Sequence, residues 1–477
     1  MKTIIIGGTA AGMSAAVKIQ KMARDPQVVV YEKGEVVSFG ACGLPYYVGD
    51  QFHDSRQMIA REQAAFEKMG IAVNLFHEVT AVDTVNKTAT VWDSQQAQSF
   101  TDTYDQLLVA SGAYPLTPRL ETPAFERYEN IFHLKTIGDG RALKTYLRVE
   151  EVQEVTVIGG GFIGVECAEA LLHQGKKVRL IQLDEHLLND SFDPEISEVL
   201  AENMRAAGVN LHLGEGVQDL CGSTDEETNA RIHTVVTDKG AYPTELVVIA
   251  IGVRPATDML GPEFAKLQNG ALVVDDQGRT NVAAVWAAGD CATVPHLVTG
   301  DDRYIPLATG ANKLGRIVGE VMAGADSRYP GSLGTAGVKF MALEAARTGI
   351  TEADAVKLGL GFKTVVINDK NQTDYYPGQK DIRVKLIYDE QDLTLWGAQI
   401  TGENGAALRI DTLAAAITMK MTTKQLGMLD LLYAPPFART WDVLNVAGNV
   451  AKPGPKTTLP AAEKPATQAE KAAIPAG

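Results

Sequence analysis

Cys42 lies in a stretch whose residue types fit redox chemistry. Small residues surround it, an aromatic cluster ending at Tyr47 follows it, and an apolar strand ending at Glu32 comes shortly before it. A lone cysteine is most often a small buried hydrophobic residue. Cys42 differs because it follows a dinucleotide-binding pattern, where a thiol could exchange electrons with a bound cofactor. We therefore take Cys42 as the candidate redox centre.

The other cysteines, Cys167, Cys221 and Cys291, lie far apart and form no C-x-x-C pair. That spacing is the signature of dithiol redox and zinc sites, so the sequence predicts neither an internal disulfide nor a metal site. The oxidised form of Cys42 would then be a mixed disulfide with a small thiol, or a sulfenic acid. Scattered cysteines indicate a reducing compartment, and we expect a cytoplasmic protein.

The residues before Cys42 predict a βαβ dinucleotide-binding unit. A β-branched strand over residues 3–6 leads into the run from Gly7 to Gly12, in which Thr9 replaces the middle glycine of the fingerprint. Glycines let the backbone approach a pyrophosphate, whose charge is stabilised at the helix N-terminus. Glu32 ends the next strand, where it can accept hydrogen bonds from an adenosine ribose.

The pattern recurs later in the chain with a complete fingerprint. A strand over residues 155–158 leads into Gly159, Gly161 and Gly164, and a helix over 165–172 follows. Two such units predict two cofactors, or one cofactor and a nucleotide-like substrate.

The second unit departs from the first at its acidic position. Gln182 matches Glu32, and Asp184 lies two residues later. An acid favours the 2′-hydroxyl of NAD, whereas an arginine favours the 2′-phosphate of NADP. Gln182 decides neither, and Asp184 favours NADH.

Two similar apolar segments, 107–113 and 247–255, predict buried parallel strands at which each nucleotide unit passes the chain on. Asp290 follows a strand that begins at Val285. A carboxylate there is costly to bury without a partner, so we expect it to accept hydrogen bonds from a cofactor's ribityl hydroxyls. A helix over 310–322 would direct its N-terminus at a flavin ring.

From residue 336 the strands alternate apolar and polar residues, which predicts a separate α+β domain. From about residue 452 the chain contains Pro, Ala, Lys and Glu without periodicity, as in disordered tails. The expected strands cover residues 363–368, 383–388 and 393–400, and the expected helices cover 406–419 and 423–429.

Charge and hydropathy exclude two classes of partner. The net charge is −15, whereas a nucleic-acid surface needs clustered Lys and Arg. No apolar run approaches the roughly 18 residues that cross a membrane. We expect neither nucleic acid nor membrane as a partner.

Both fingerprints, the segment 287–290 (Ala-Ala-Gly-Asp) and the segment 38–43 (Ser-Phe-x-x-Cys-Gly) together resemble the pyridine nucleotide-disulfide oxidoreductases, over residues 1–451. The resemblance is to the single-cysteine branch, which contains coenzyme A disulfide reductases, persulfide reductases, NADH oxidases and NADH peroxidases. It implies FAD in the first site, NADH or NADPH in the second, and a homodimer whose subunits complete each other's active sites.

The resemblance implies an α/β fold with two Rossmann-like dinucleotide-binding domains and a C-terminal α+β dimerisation domain. We assign the FAD domain to residues 1–115 and 255–330 and the NAD(P)H domain to 116–254. The dimerisation domain is expected over 331–451, and the disordered tail over 452–477.

Three comparisons within the branch bear on the acceptor. The peroxidases and water-forming oxidases carry a histidine where this chain has Ala10. The segment 42–47 (Cys-Gly-Leu-Pro-Tyr-Tyr) is similar to the coenzyme A disulfide reductase signature, but Ala41 replaces the asparagine that contacts coenzyme A there. The segments 374–378 and 433–437 resemble those that supply tyrosines from the partner subunit. The acceptor therefore stays open.

The resemblance also implies residue roles. Phe162 would cover the flavin face at which hydride arrives from NADH, with Glu166 behind it, and the other face would deliver electrons to Cys42. The pKa of Cys42 should lie below the free value of about 8.5, at a helix N-terminus beside oxidised flavin. No histidine follows His296 to protonate the leaving thiol, so Tyr433 or Tyr376 of the partner would donate to it.

We therefore expect an FAD-dependent NAD(P)H:disulfide oxidoreductase acting on coenzyme A disulfide or a related small disulfide or persulfide. An NADH oxidase that reduces oxygen is the alternative, and a slow flavin redox sensor is the third hypothesis. The expected substrate contacts are Ser14, Lys18, Lys21, Ser38 and Tyr375. The expected cofactor contacts are Gly7, Gly8, Ala11, Gly12, Glu32, Lys33, Ser38, Ser111, Gly112, Gly159, Gly161, Phe162, Ile163, Gly164, Glu166, Gln182, Gly252, Asp290 and Ala308.

Overall fold

The computed structural model describes residues 1–118, 120, 128–149, 151–223 and 230–454, and the predicted tail lies outside the described residues from 455 onward. The fold is α/β, as expected, with two parallel sheets and a C-terminal antiparallel sheet. The helices of this part of the chain are α1 (Ala10–Met22), α2 (Leu44–Val48), α3 (Gln63–Glu67), α4 (Ile137–Val149), α5 (Phe162–His173), α6 (Pro194–Ala206), α7 (Ala308–Met322), α8 (Glu352–Lys357), α9 (Ile410–Thr418), α10 (Thr423–Gly427) and α11 (Val443–Val450).

The first parallel sheet consists of strands that are apolar on both faces. Ile4 pairs with Val29 on one side and with Leu107 on the other, and all three are buried. Continuous apolar sequence is what a strand covered on both faces requires. The strand order is Val285–Ala287, Gln106–Val109, Lys2–Ile6, Gln27–Glu32 and Ile71–Leu75; an antiparallel sheet of His77–Asp83, Thr88–Asp93 and Gln98–Thr103 follows in sequence.

The second parallel sheet repeats this arrangement. Val157 is fully buried and pairs with Leu180 and Val248. The strand order is Asn210–His212, Lys177–Ile181, Glu154–Ile158, Leu246–Ile249 and Ile131–Phe132, and the associated antiparallel sheet contains Val217–Ser223, Arg231–Thr237 and Ala241–Pro243.

The expectation of single strands over 107–113 and 247–255 is wrong. Each segment breaks at a glycine with positive φ, +73° at Gly112 and +108° at Gly252, a conformation that ends a strand. The residues beyond the breaks, Ala113–Pro115 and Val253–Pro255, pair antiparallel with each other. The two crossings between the parallel sheets therefore run side by side.

The C-terminal sheet is antiparallel, as its alternating pattern predicts. The expected helix over 406–419 begins as a 3₁₀ turn, Ala407–Arg409, and continues as α9. The sequence did not predict α11, whose valines, asparagines and glycine are weak helix formers; its N-cap, Asp442, accepts a hydrogen bond from Leu444 N at 3.0 Å. The strand order is Ala336–Phe340, Leu343–Gly349, Leu395–Gly402, Asp381–Asp389 and Phe362–Lys370, and short strands Val294–Pro295 and Asp302–Arg303 precede it.

Helices α1 and α7 pack backbone against backbone. A Cβ atom on Gly315 would lie 2.4 Å from Ala11 O, and one on Gly319 would lie 2.6 Å from Ala15 O. Only glycine permits this distance. The contact fixes the start of α7 relative to the first fingerprint loop.

Candidate functional site

The first fingerprint loop is held against the end of the sheet. A Cβ atom on Gly7, whose φ is +101°, would lie 2.2 Å from a carbonyl oxygen, and one on Gly12 would lie 2.0 Å from Gly7 O. Glu32 accepts hydrogen bonds from Gly8 N and Gly34 N, each at 2.7 Å. Its carboxylate is therefore fixed beside the loop, where the sequence predicts a ribose.

The second loop has the same construction with an amide in place of the acid. Gly159 has a φ of +105°, and a Cβ atom on Gly164 would lie 1.9 Å from Gly159 O. Gln182 Oε1 accepts from Gly160 N at 2.7 Å, as Glu32 does from Gly8. Gln182 Nε2 donates to Asp184 Oδ2 at 2.7 Å, which brings a carboxylate to this position.

Two observations fit bound dinucleotides. The space around Gly161 is open for 4 Å where a Cβ atom would stand, which leaves room for a pyrophosphate. Tyr304 Oη is buried and has no hydrogen-bond partner in the described part of the chain. A buried hydroxyl without a partner is costly, and a polar ligand group would satisfy it. Burial, then the charge of Asp290, raises the pKa of Tyr304.

Asp290 has a protein partner that the sequence did not reveal. It follows the strand Val285–Ala287 through Gly289, whose φ is +85°. Lys135 Nζ lies 3.4 Å from Asp290 Oδ2. The expected helix over 310–322 begins two residues earlier, at Ala308, and no side chain caps its N-terminus. Its free N–H groups suit an anionic or carbonyl ligand.

Ser111 and Gly112 line the crossing between the two sheets. Ser111 Oγ donates to Ala256 O at 2.6 Å, so this hydroxyl holds the returning chain. The positive φ of Gly112 and Gly252 turns the backbone at each crossing. These residues shape the cofactor region chiefly through the backbone.

Cys42 is exposed in the 3₁₀ turn Ala41–Gly43 that precedes α2. Burial of its sulfur, then the charges of Glu166 and Asp290, raises the pKa of Cys42, and Lys135 partly opposes this. The expectation of a depressed pKa is wrong for the chain's own residues. The reason is that two acids face the thiol.

Glu166 is the buried acid beside Cys42. It lies on α5, and Tyr46 Oη donates to its Oε1 at 3.2 Å. Burial raises the pKa of Glu166 to about 7, and the nearby Glu169 adds to the effect. Glu166 therefore exchanges its proton near neutral pH. The sequence analysis did not single out Tyr46, whose only signal was its place in the aromatic cluster.

Phe162 is the first residue of α5 and is half-buried, as is Ile163 beside it. The Phe162 ring lies 6.4 Å from that of Phe192, centroid to centroid. Phe162 thus begins the same helix that carries Glu166 one turn later. Its role as a cover over a flavin stays a prediction.

The expected substrate cations are only partly free. Lys18 Nζ lies 2.7 Å from Glu320 Oε1, and this bond, with others, lowers the pKa of Glu320 to about 2. Lys18 is therefore neutralised by α7. Lys21 is exposed, and Ser14 Oγ donates to Asn312 Oδ1 at 3.0 Å.

Ser38 and Lys33 lie between the first loop and Cys42. Ser38 has a φ of +54°, and its N–H donates to Gly8 O at 2.8 Å. Lys33 Nζ lies 4.1 Å from the centroid of the Tyr114 ring. The backbone of Ser38 therefore ties the cysteine segment to the fingerprint loop.

The predicted tyrosines cluster in the C-terminal domain. Tyr375 Oη and Tyr433 Oη lie 3.3 Å apart, and both side chains are exposed, as is that of Tyr376. Within the described residues of one chain, none of the three makes a polar or ring contact with Cys42.

The described residues contain no group of three or more His, Cys, Asp and Glu side chains that could hold a metal ion. None of the described helices has the length and apolar character needed to cross a membrane.

Comparison with protein families matches nearly the whole described chain. The model for pyridine nucleotide-disulphide oxidoreductase matches residues 1–315. The model for the dimerisation domain of the same family matches residues 335–443.

Individual relatives have two kinds of names. An NAD(P)H coenzyme A polysulfide/persulfide reductase of Pyrococcus horikoshii is 37% identical, over 94% of this chain and 98% of the relative. An NADH oxidase of Enterococcus faecalis is 30% identical, over 94% and 99%. The solved NAD-dependent persulfide reductase from A. fulgidus superposes with a TM-score of 0.87 at 32% identity, over 94% and 83%.

Proposed function

Because the chain belongs to the pyridine nucleotide-disulphide oxidoreductase family, we propose that it reduces coenzyme A disulfide or a related small disulfide or persulfide through Cys42. The observation that carries this proposal is a single exposed thiol beside Glu166 and Asp290, next to the two dinucleotide loops. The name of the Pyrococcus horikoshii relative supports a sulfur acceptor bound to coenzyme A.

The proposed cofactors are FAD at the first loop and NADH at the second. Bound together, they supply two electrons to the site. Glu32, Asp290 and Tyr304 would hold FAD, and Gln182 with Asp184 would hold the nicotinamide nucleotide. NADH is proposed because the Asp184 carboxylate, fixed by Gln182, would repel a 2′-phosphate.

Cys42 performs the sulfur chemistry. Its thiolate attacks one sulfur of the disulfide, forms a mixed disulfide and releases one thiolate. Two electrons then cleave the mixed disulfide, which restores the Cys42 thiolate and releases the second thiolate. With a persulfide, attack on the inner sulfur releases hydrosulfide instead.

Glu166 is the proposed proton acceptor for the Cys42 thiol. The chain's own residues keep that thiol protonated at neutral pH, so a base is needed before attack. A carboxyl whose pKa is about 7 is suited to the task. The hydrogen bond from Tyr46 fixes its position.

Two subunits would complete each site. Tyr375, Tyr376 and Tyr433 are exposed on the domain that matches the dimerisation family. We propose that Tyr433 or Tyr376 of one subunit donates to the leaving thiolate in the other, and that Tyr375 contacts the substrate. Lys21, rather than the neutralised Lys18, would then meet its phosphates.

The domain boundaries and the location are also proposed. The FAD domain comprises 1–115 and 255–330, the NAD(P)H domain 116–254, and the dimerisation domain 331–451. A cytoplasmic location is supported by the free thiols of all four cysteines.

Anaerobic steady-state kinetics test the proposal. Purified protein is supplied with NADH and either coenzyme A disulfide, coenzyme A persulfide or, in air, oxygen alone. We expect turnover with a sulfur acceptor to exceed turnover with oxygen. Faster turnover with oxygen would favour an oxidase, which the Enterococcus faecalis relative supports and Ala10 argues against. Slow bleaching of the flavin by NADH, over minutes, would favour a sensor.

A further inference from the structure

A buried cation grips the helix that follows Cys42. Lys144 of α4 is 3% exposed. Its ammonium donates to Tyr47 O, to Phe52 O at 3.3 Å and to Asp50 Oδ1 at 2.7 Å. An ammonium has three protons, so Lys144 is fully satisfied by residues at and just beyond the C-terminal end of α2.

Asp50 gathers contacts from both flanking helices. Gln174, which follows α5, donates to Asp50 Oδ2 at 2.6 Å and to Val48 O at 3.2 Å. Arg148 of α4 donates to Asp50 Oδ1 at 3.0 Å. Although burial opposes it, hydrogen bonding from Lys144 and Gln174 holds the pKa of Asp50 well below its usual range.

Packing leaves α2 little room to move. A Cβ atom on Gly49 would lie 3.0 Å from Ala170 Cα of α5, and one on Gly140 of α4 would lie 2.6 Å from a methyl carbon of Leu44. The helix is therefore wedged between α4 and α5 along its length, and Lys144 locks the end remote from Cys42.

The geometry points to Lys144 as a positioning residue for Cys42, an inference that rests on the proposed role of Cys42 as the reacting thiol. Burying an ammonium adds little net stability over an apolar residue, so its retention is explained by the geometry that it imposes. The charged groups with the largest effect on Cys42 are Glu166, Asp290 and Lys135. Lys144 is not one of them, so it acts through the position of α2.

The test compares K144M with R148M in the flavin-loaded enzyme. Both changes remove a cation of α4 that contacts Asp50, but Arg148 is half exposed and donates to none of the α2 carbonyls. The readouts are the pH profile of Cys42 alkylation by iodoacetamide, followed by peptide mass spectrometry, anaerobic acceptor turnover, and the rate of flavin reduction by NADH.

In K144M we expect the alkylation midpoint to move toward that of a free cysteine and acceptor turnover to fall about tenfold or more, because small displacements of a reacting group are costly. Flavin reduction by NADH should stay within about twofold. R148M should match the wild type in all three. An alkylation profile in K144M equal to that of R148M would overturn the inference, as would equal losses in both half-reactions.

If K144M does not fold, Gln174→Leu withdraws the α5 contacts from Val48 and Asp50 instead. A shifted Cys42 profile in that variant supports the inference, and an unchanged profile overturns it. The alkylation readout needs no acceptor. Absence of acceptor turnover in the wild type would therefore overturn the proposed function alone.

Discussion

Glu166 connects the chemistry at Cys42 to the stability of the fold. Its pKa is raised from the usual value of 4.5 to about 7, chiefly by burial. A carboxyl with a raised pKa stabilises the folded state only while it is protonated, so this contribution is lost as the pH rises from 4.5 to 7.

The variant Glu166→Gln should therefore gain stability relative to the wild type between pH 5 and pH 8, by up to about 3 kcal/mol. The measurement is the thermal midpoint of both proteins at each pH. Glu62→Gln, an exposed change of the same type, is the control. A difference between variant and wild type that is constant with pH would show that Glu166 titrates normally.

Asp184 should set the preference for the nucleotide. Replacing it with arginine removes a charge that repels a 2′-phosphate and adds one that attracts it. We expect the ratio of kcat/KM for NADPH to that for NADH to rise at least about tenfold, which corresponds to about 1.4 kcal/mol. Glu202→Arg, the same charge change on α6, is the control. An unchanged ratio would place the 2′ position elsewhere.

At this scale the sequence predicted what short spacing encodes. The fingerprint glycines and the pairing of Glu32 with its loop follow from one βαβ unit. The bond from Tyr46 to Glu166 and the ion pair of Lys135 with Asp290 join residues more than 100 positions apart. No local pattern predicts such contacts.

Among the elements, the pairing of α1 with α7 carries the first site. A Cβ atom on Gly315 would meet the backbone of Ala11 rather than a flexible side chain, so the helices must separate. The start of α7 at Ala308 would move with them. Retention of FAD is thus tied to one glycine far from the fingerprint.

Gly315→Ala should lower stability by about 1–3 kcal/mol, the usual range for overpacking, and reduce the flavin content of the purified protein. Gly310→Ala, in the same helix, meets only the Tyr329 hydroxyl at 3.8 Å and is the control. Absorbance spectra give the flavin content, and thermal unfolding gives the stability. Equal behaviour of the two variants would contradict the packing argument.

Sequence reasoning also located most elements but not their breaks. The segment 247–255 is apolar enough to predict one strand, yet Gly252 turns the chain so that it can pair with the other crossing. That partner lies more than 130 residues away, so only tertiary structure shows why the strand ends.

At the scale of the whole molecule, an apolar surface on the C-terminal domain calls for a second subunit. Leu432, Phe437 and Trp441 are 71%, 61% and 54% exposed, beside Tyr433. Clustered exposed apolar residues of this size mark interaction sites. The family match names the same region as a dimerisation domain.

Trp441→Glu combined with Phe437→Glu should convert the dimer to a monomer, because charged groups are costly to bury in an interface. Analytical ultracentrifugation gives the mass, and acceptor turnover should be lost with the dimer. Val85→Glu changes an apolar residue that is 89% exposed elsewhere and should leave the dimer intact. A double variant that stays dimeric would show that the subunits meet on another surface.

The central claim is that electrons leave the protein through Cys42, and Cys42→Ser tests it most directly. The variant should bind FAD and be reduced by NADH at the wild-type rate, yet fail to turn over coenzyme A disulfide or persulfide in the absence of oxygen. A serine cannot form the mixed disulfide. Full acceptor turnover by the variant would contradict the account.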